Sequence, residues 1–159
     1  MLPVGIFQPS GEQLDHERND FSLWRCLIRE FAEELLGEKE SSGGPINYEQ
    51  WPFAVELSDA KRDRRVRPYC LGIGVDPLTF ATDLLSVVVF DAAVFDALFG
   101  ELVETNAEGE LIGGEVSRIP GIPFNEAHVT QLLSDHPMQS AGAAVLALAW
   151  SKRQVLLAA

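Results

Sequence analysis

Between Asn19 and Gly37 the apolar positions Phe21, Trp24, Leu27, Ile28, Phe31 and Leu35 recur at three- and four-residue steps, with charges between them. That period predicts an amphipathic helix. Asn19 or Asp20 is placed to cap its start and Gly37 to stop it. Upstream, "LPVGIF" reads as a short strand bounded by Pro3 and Pro9, and "QPSGEQLDHERND" as a polar loop. After a loop marked by Gly43, Gly44 and Pro45, residues 49–65 predict a helix with Pro52 in its first turn. "VRPYCLGIGV" and "LLSVVVF" predict strands. The second is nearly all apolar, which predicts a central strand buried on both faces. Gly72 and Gly74 mark a bulge or a close backbone approach in the first. Asp91 caps the next predicted helix, "DAAVFDALFGEL", and "VETNAEGELIGGEV" is a hairpin or mobile loop. Asn125 caps a helix that Pro137 ends, and a last helix covers residues 140–156. Strands and helices interleave irregularly. That predicts an α+β or layered α/β/α domain with a mixed sheet rather than a doubly wound parallel one.

The 159 residues suit one domain, 1–159, and an apolar content of 47% supports a core. No run approaches the roughly 18 consecutive apolar residues of a membrane helix, and the start lacks the flanks of a signal peptide. Cys26 and Cys70 have no CxxC spacing, so reduced thiols in a cytoplasmic protein are the expectation. The net charge of −12 argues against direct nucleic-acid binding. The one basic run, "KRDRRVR" at 61–67, suits a solvated helix end, with an anion site as the sharper reading.

The candidate chemistry lies on the first strong helix. Glu30, Glu33 and Glu34 stand at i, i+3 and i+4, and the helical wheel sets them opposite the apolar face. In an isolated helix such like charges cost about a few tenths of a kcal/mol per pair. The plain reading is a solvated acidic face. The sharper one is a site for a hard cation, Mg²⁺ or Mn²⁺, because carboxylate oxygens are its preferred ligands.

The stretch "REFAEELLG" resembles the core of the Nudix box, Arg-Glu-apolar-x-Glu-Glu-x-Gly. "LPVG" resembles the Leu-Pro-Gly-Gly that precedes the box, and Gly11–Glu12 its Gly-Glu. The resemblance implies a Nudix-like α/β/α sandwich with a mixed sheet whose front strands are missing. It also implies a metal-dependent hydrolase of a nucleoside diphosphate linked to another group. Glu30, Glu33 and Glu34 would then be metal ligands, with Glu33 or Glu34 activating water. Arg29 would orient the glutamates, and Glu12 is a weaker carry-over. Glu101, Glu104 and Glu115 are candidates for an acid outside the box.

"FSLWRCLIREFAEELLG", "YCLGIGVDPLTF", "GIPFNEAHV" and "AGAAVLALAW" also resemble a domain attached C-terminally to helix-turn-helix regulators in actinobacteria. This implies an alternative: a non-catalytic ligand-sensing or dimerisation domain of a transcriptional regulator. The long loop Gln13 to Asn19 favours it, and the intact glutamate spacing favours the enzyme. The enzyme takes a nucleotide-like small molecule; the alternative module senses a nucleotide or other small ligand, or simply mediates dimerisation. An open sheet edge at "LPVGIF" would let two copies pair as a homodimer.

His16, His128 and His136 share no metal spacing and suit surface or capping roles. No GxSxG or dinucleotide fingerprint occurs. Trp24, Trp51, Trp150, Phe80 and Phe124 could stack on a base, though aromatic residues more often pack in a core.

Overall fold

The computed structural model describes residues 4–38, 44–100, 105–106, 109–110 and 121–158. The helices are α1 (Leu14–Asp20), α2 (Leu23–Leu36), α3 (Pro52–Arg62), α4 (Ala92–Phe99), α5 (Glu126–Asp135), α6 (Ser140–Ser151) and α7 (Arg153–Leu157). The strands are β1 (Val66–Val75), β2 (Thr82–Phe90), β3 (Thr105–Asn106) and β4 (Gly109–Glu110). The fold class is α+β. β1 pairs with β2 and β3 with β4, both antiparallel, so no parallel pairing occurs among the described residues. No described helix is long and apolar enough to cross a membrane. The chain divides into two compact units, residues 1–63 with 92–120, and residues 64–91 with 121–159.

In the first unit, α2 and α4 pack on α3. The buried side chains are Ile28, Phe31, Ala32 and Leu35 of α2, Ala54, Leu57 and Ala60 of α3, and Val94 and Phe99 of α4. Phe99 gathers three rings, with centroids of Phe31 and Phe53 at 5.8 Å and of Phe95 at 4.9 Å. Gly37 ends α2 in the left-handed conformation, at φ 67°, as its position in the sequence predicts.

Three sequence expectations change here. Val4–Pro9 form no strand, because several of their backbone groups bond to side chains of α2 instead, as set out below. The polar loop contains α1, whose Asp15 and Glu17 near its start and Arg18 near its end complement the helix dipole. Asp20 therefore ends α1 rather than capping α2, and Ser22 takes the N-cap position.

In the second unit, β1 and β2 form a ribbon against which α6 packs, and α5 packs on α6. Val66, Leu85, Val129, Val145, Leu146, Ala149 and Leu156 are buried. The register shifts between Cys70 and Gly72, and Gly72 has φ 156°, so the bulge predicted from the glycines is present. β2 differs from expectation. It pairs only with β1 among the described residues, and Leu85 is its one buried residue. The short return from Asp76 to Ala81 makes a hairpin, which leaves the apolar run half-covered rather than central. Asn125 caps α5 by accepting the His128 N–H at 3.0 Å, and the helix stops two residues before Pro137. The final helix is broken at Lys152 into α6 and α7.

At the hairpin tip the Asp76 carboxylate accepts the Leu78 and Thr79 N–H groups at 2.8 and 2.9 Å and also bonds the Ser140 hydroxyl. The Ser140 contact, followed by these N–H groups, holds Asp76 down at about 2. Phe80 completes the turn at φ 60°, where a β-carbon is strained, and its side chain is 79% exposed. Phe80→Gly removes that strain with little packing to lose. It is expected to stabilise the protein by about 1 kcal/mol, read as a higher urea midpoint at unchanged m-value.

Candidate functional site

α2 carries both the apolar face and the acidic positions, and the structure covers more of it than a solvated acidic face requires. Glu34 is only 4% exposed, Arg29 is buried, and Glu30 and Glu33 are half-buried. Trp24 and Leu27 are half-buried too, while Phe21, outside the helix, is exposed and stacks near Phe7 at 4.9 Å.

The cover comes from residues 4–10. The Val4 N–H donates to Glu34 Oε1 at 2.7 Å. At Gly5 the backbone runs so close to the next carboxylate that a β-carbon would fall 1.9 Å from the Glu30 carboxyl carbon. Glycine is the one residue that leaves this space without moving Glu30. The Ile6 carbonyl lies 3.7 Å from the Cys26 thiol, and the Gln8 carbonyl accepts from Arg29 Nη2 at 2.5 Å. Burial, then the negative field of Glu30, pushes the Cys26 thiol up.

Arg29 donates through Nη1 to the Tyr48 hydroxyl at 2.8 Å. Its charge is opposed by burial, but the bond to Tyr48 and the fields of Tyr48, Cys26 and Asp20 prevail and raise its pKa. Beyond Tyr48 lies Asp20, fully buried. Its carboxylate accepts the Ser10 N–H at 2.9 Å, the Ser10 hydroxyl, and Asn19 Nδ2 at 2.8 Å. Burial would raise the Asp20 pKa, yet the two bonds from Ser10, the bond from Tyr48 and the field of Arg29 hold it below the usual value. Ser10 also bonds His16 Nδ1 at 3.0 Å. His16 is thus buried, not at the surface as its loop position predicts. The serine stands between the histidine and the aspartate, so these three do not form a nucleophile–base–orienter relay.

A cleft of about 460 Å³ opens between α2 and residues 44–52. Arg29, Glu33 and Glu38 line it from the α2 side, and Asn47, Gln50 and Trp51 from the other. Of the predicted ligands, only Glu33 lines this cleft, and Glu38, which the box pattern passes over, shares its wall. Among the described residues, no group of three or more His, Cys, Asp or Glu could hold a metal ion. The donor chemistry still suits Mg²⁺, which keeps several waters and commonly binds through one or two carboxylates. Glu12 lies exposed before α1. Glu101, Glu104 and Glu115 fall outside the described residues.

Trp24, Phe124 and Trp150 have structural partners. Trp24 Nε1 donates to Ser58 at 3.1 Å, and Lys61 sits 4.9 Å over its ring. Phe124 meets Trp150 edge-on at 5.4 Å, with Arg153 over the Trp150 ring at 4.0 Å. Of the basic run only Lys61 and Arg62 stand in the last turn of α3, and Arg67 lies in β1. Arg62 pairs with Asp59 at 2.6 Å, Arg65 with Asp91 at 3.3 Å, and Arg67 donates to the Ala158 carbonyl at 2.5 Å. Cys26 and Cys70 are free thiols. Sequence reasoning missed Ser10, Asp20, Asn47, Tyr48 and Gln50 as parts of one region. "PINYEQW" has no period or motif, and only its turn residues Pro45 and Asn47 mark it as a loop. No protein-family model matches the chain, and comparison with curated proteins and with solved structures found no match.

Proposed function

We propose that this protein is a Nudix-type hydrolase of a nucleoside diphosphate derivative, dependent on Mg²⁺ or Mn²⁺. One observation supports this above the others. The Val4–Gly5 backbone lies directly on Glu34 and Glu30, while Glu33 of the same helix opens on a cleft. That brings Val4 and Gly5, the described half of "LPVG", against the glutamates of "REFAEELLG". The proposal includes the layered sandwich with a mixed sheet and a cytoplasmic location.

A bound cation would polarise the phosphoryl oxygens and make a water acidic enough to attack. The chain's own residues do the rest. Glu33, with Glu38 beside it, supplies carboxylate oxygens at the cleft. Glu34 is fixed by Val4 as a proton acceptor behind them. Arg29 ties α2 to Gln8 and Tyr48, which sets the pitch of the acidic helix against residues 4–8.

Millimolar Mg²⁺ or Mn²⁺ is expected to raise the melting temperature, since a ligand of the folded state alone stabilises by mass action. A panel of nucleoside diphosphate derivatives should contain one that releases phosphate-containing products only with metal. No melting shift, together with no turnover across the panel, would count against the hydrolase.

A second reading, a non-catalytic ligand-sensing or dimerisation domain of a regulator, is favoured by α1, which occupies the long segment between Gly11–Glu12 and the acidic helix. It requires binding without turnover.

A further inference from the structure

We propose that the cleft between α2 and residues 44–52 receives the heteroaromatic ring of the ligand, with Trp51 as its stacking wall. This rests on the nucleotide-derivative reading and says which end of the ligand enters. The cleft's two walls differ in chemistry. On one side stand Glu33 and Glu38; the guanidinium near them, Arg29, already donates to Gln8 and Tyr48. Among the described lining residues two carboxylates stand against one guanidinium, so a bare phosphate is disfavoured on that side. On the other side stand the half-buried indole of Trp51 and the amides of Asn47 and Gln50. Trp51 is braced at fixed tilt by Tyr48, at 6.2 Å, and Phe53, at 5.7 Å. An indole held by neighbours loses little freedom when a ring stacks on it. Amide side chains both donate and accept, so they can read the mixed edge of a base. A cleft of about 460 Å³ is within the usual range for a small ligand. The ring therefore binds without metal, and the phosphates bind well only with a cation between them and the glutamates.

The test uses free nucleosides, ribose 5-phosphate and a nucleoside diphosphate, each titrated calorimetrically with and without Mg²⁺. A purine nucleoside is expected to bind without metal and ribose 5-phosphate is not. The diphosphate should bind more weakly than its nucleoside until Mg²⁺ is added. Trp51→Leu should weaken nucleoside binding on the order of tenfold. Gln50→Ala, at an exposed position, should weaken it about threefold with the melting temperature unchanged. If Trp51→Leu fails to fold, Gln50→Ala decides. The inference is overturned if no nucleoside binds, if ribose 5-phosphate binds as well as the nucleoside, or if neither folded variant loses affinity. Its failure is separable from that of the hydrolase. Nucleoside binding without turnover in any substrate panel sinks only the hydrolase. Turnover with KM unchanged in both variants sinks only the ring site.

Discussion

Glu34→Gln is expected to lower metal-dependent turnover on the order of hundredfold, the loss seen when one preorganised electrostatic group leaves a reaction centre. The substitution is informative because of what it keeps. Glu34 accepts the Val4 N–H through Oε1, and a glutamine places its own amide oxygen there. Size and the backbone contact survive while the charge goes. Melting should shift little compared with the change in kcat. Glu56→Gln, on the exposed side of α3, serves as the control and should leave kcat and KM as they are. Equal activity in both variants would remove the box glutamates from the proposed chemistry.

Asp20→Ala is expected to be the most damaging single change to stability, at about 3 kcal/mol or more. The carboxylate is fully buried and accepts two bonds from Ser10 and one from Asn19. Its removal leaves buried donors unmet and takes a compensating negative charge away from Arg29. A lower urea midpoint with unchanged m-value measures the loss. The sign of the pH effect follows from the lowered pKa of Asp20. The carboxylate contributes its full stability above the unfolded value of 3.8, and that contribution fades as pH falls below it and through the folded value. The wild type should therefore lose stability on acidification below about pH 4 more steeply than Asp20→Ala. Parallel acid profiles for the two proteins would show that folding does not lower the Asp20 pKa.

α2 was legible because its apolar spacing is long and regular and Gly37 supplies a stop. The β1 bulge was legible because Gly72 breaks a run of side chains. The N-cap of α5 was legible because Asn125 precedes an amphipathic turn. The environment of the acidic positions was not. Helical spacing sets Glu30 and Glu33 off the apolar face and puts Glu34 at its edge, about 20° from Leu27, but it is silent about what covers that side. The cover is made largely of main-chain groups, Val4 N–H and the carbonyls of Ile6 and Gln8, which leave no mark in residue type. The same silence produced the strand expectation at "LPVGIF". Apolar, β-prone residues look alike whether their amides pair with another strand or with a carboxylate. β2 was misplaced for a related reason. A continuous apolar run suits a central strand, and only the short turn from Asp76 to Ala81 tells against it.

The way residues 4–10 grip α2 has a consequence for how substitutions there would register. Most of the grip is exerted by atoms that every amino acid possesses, so exchanging side chains at Val4, Ile6 or Gln8 leaves the gripping atoms in place. Alanine at Val4, Ile6 or Gln8 would look almost silent, and drift at these three positions would suggest a dispensable lead-in. Gly5 and Ser10 stand apart, because a β-carbon at Gly5 meets Glu30 and the Ser10 hydroxyl bonds Asp20. A proline scan would read differently: at Val4 it deletes the hydrogen that holds Glu34, and along the stretch it constrains the path that brings each carbonyl to its donor. At Val4, Ile6 and Gln8 the segment is constrained in course rather than in composition, and there only probes of the main chain report the constraint.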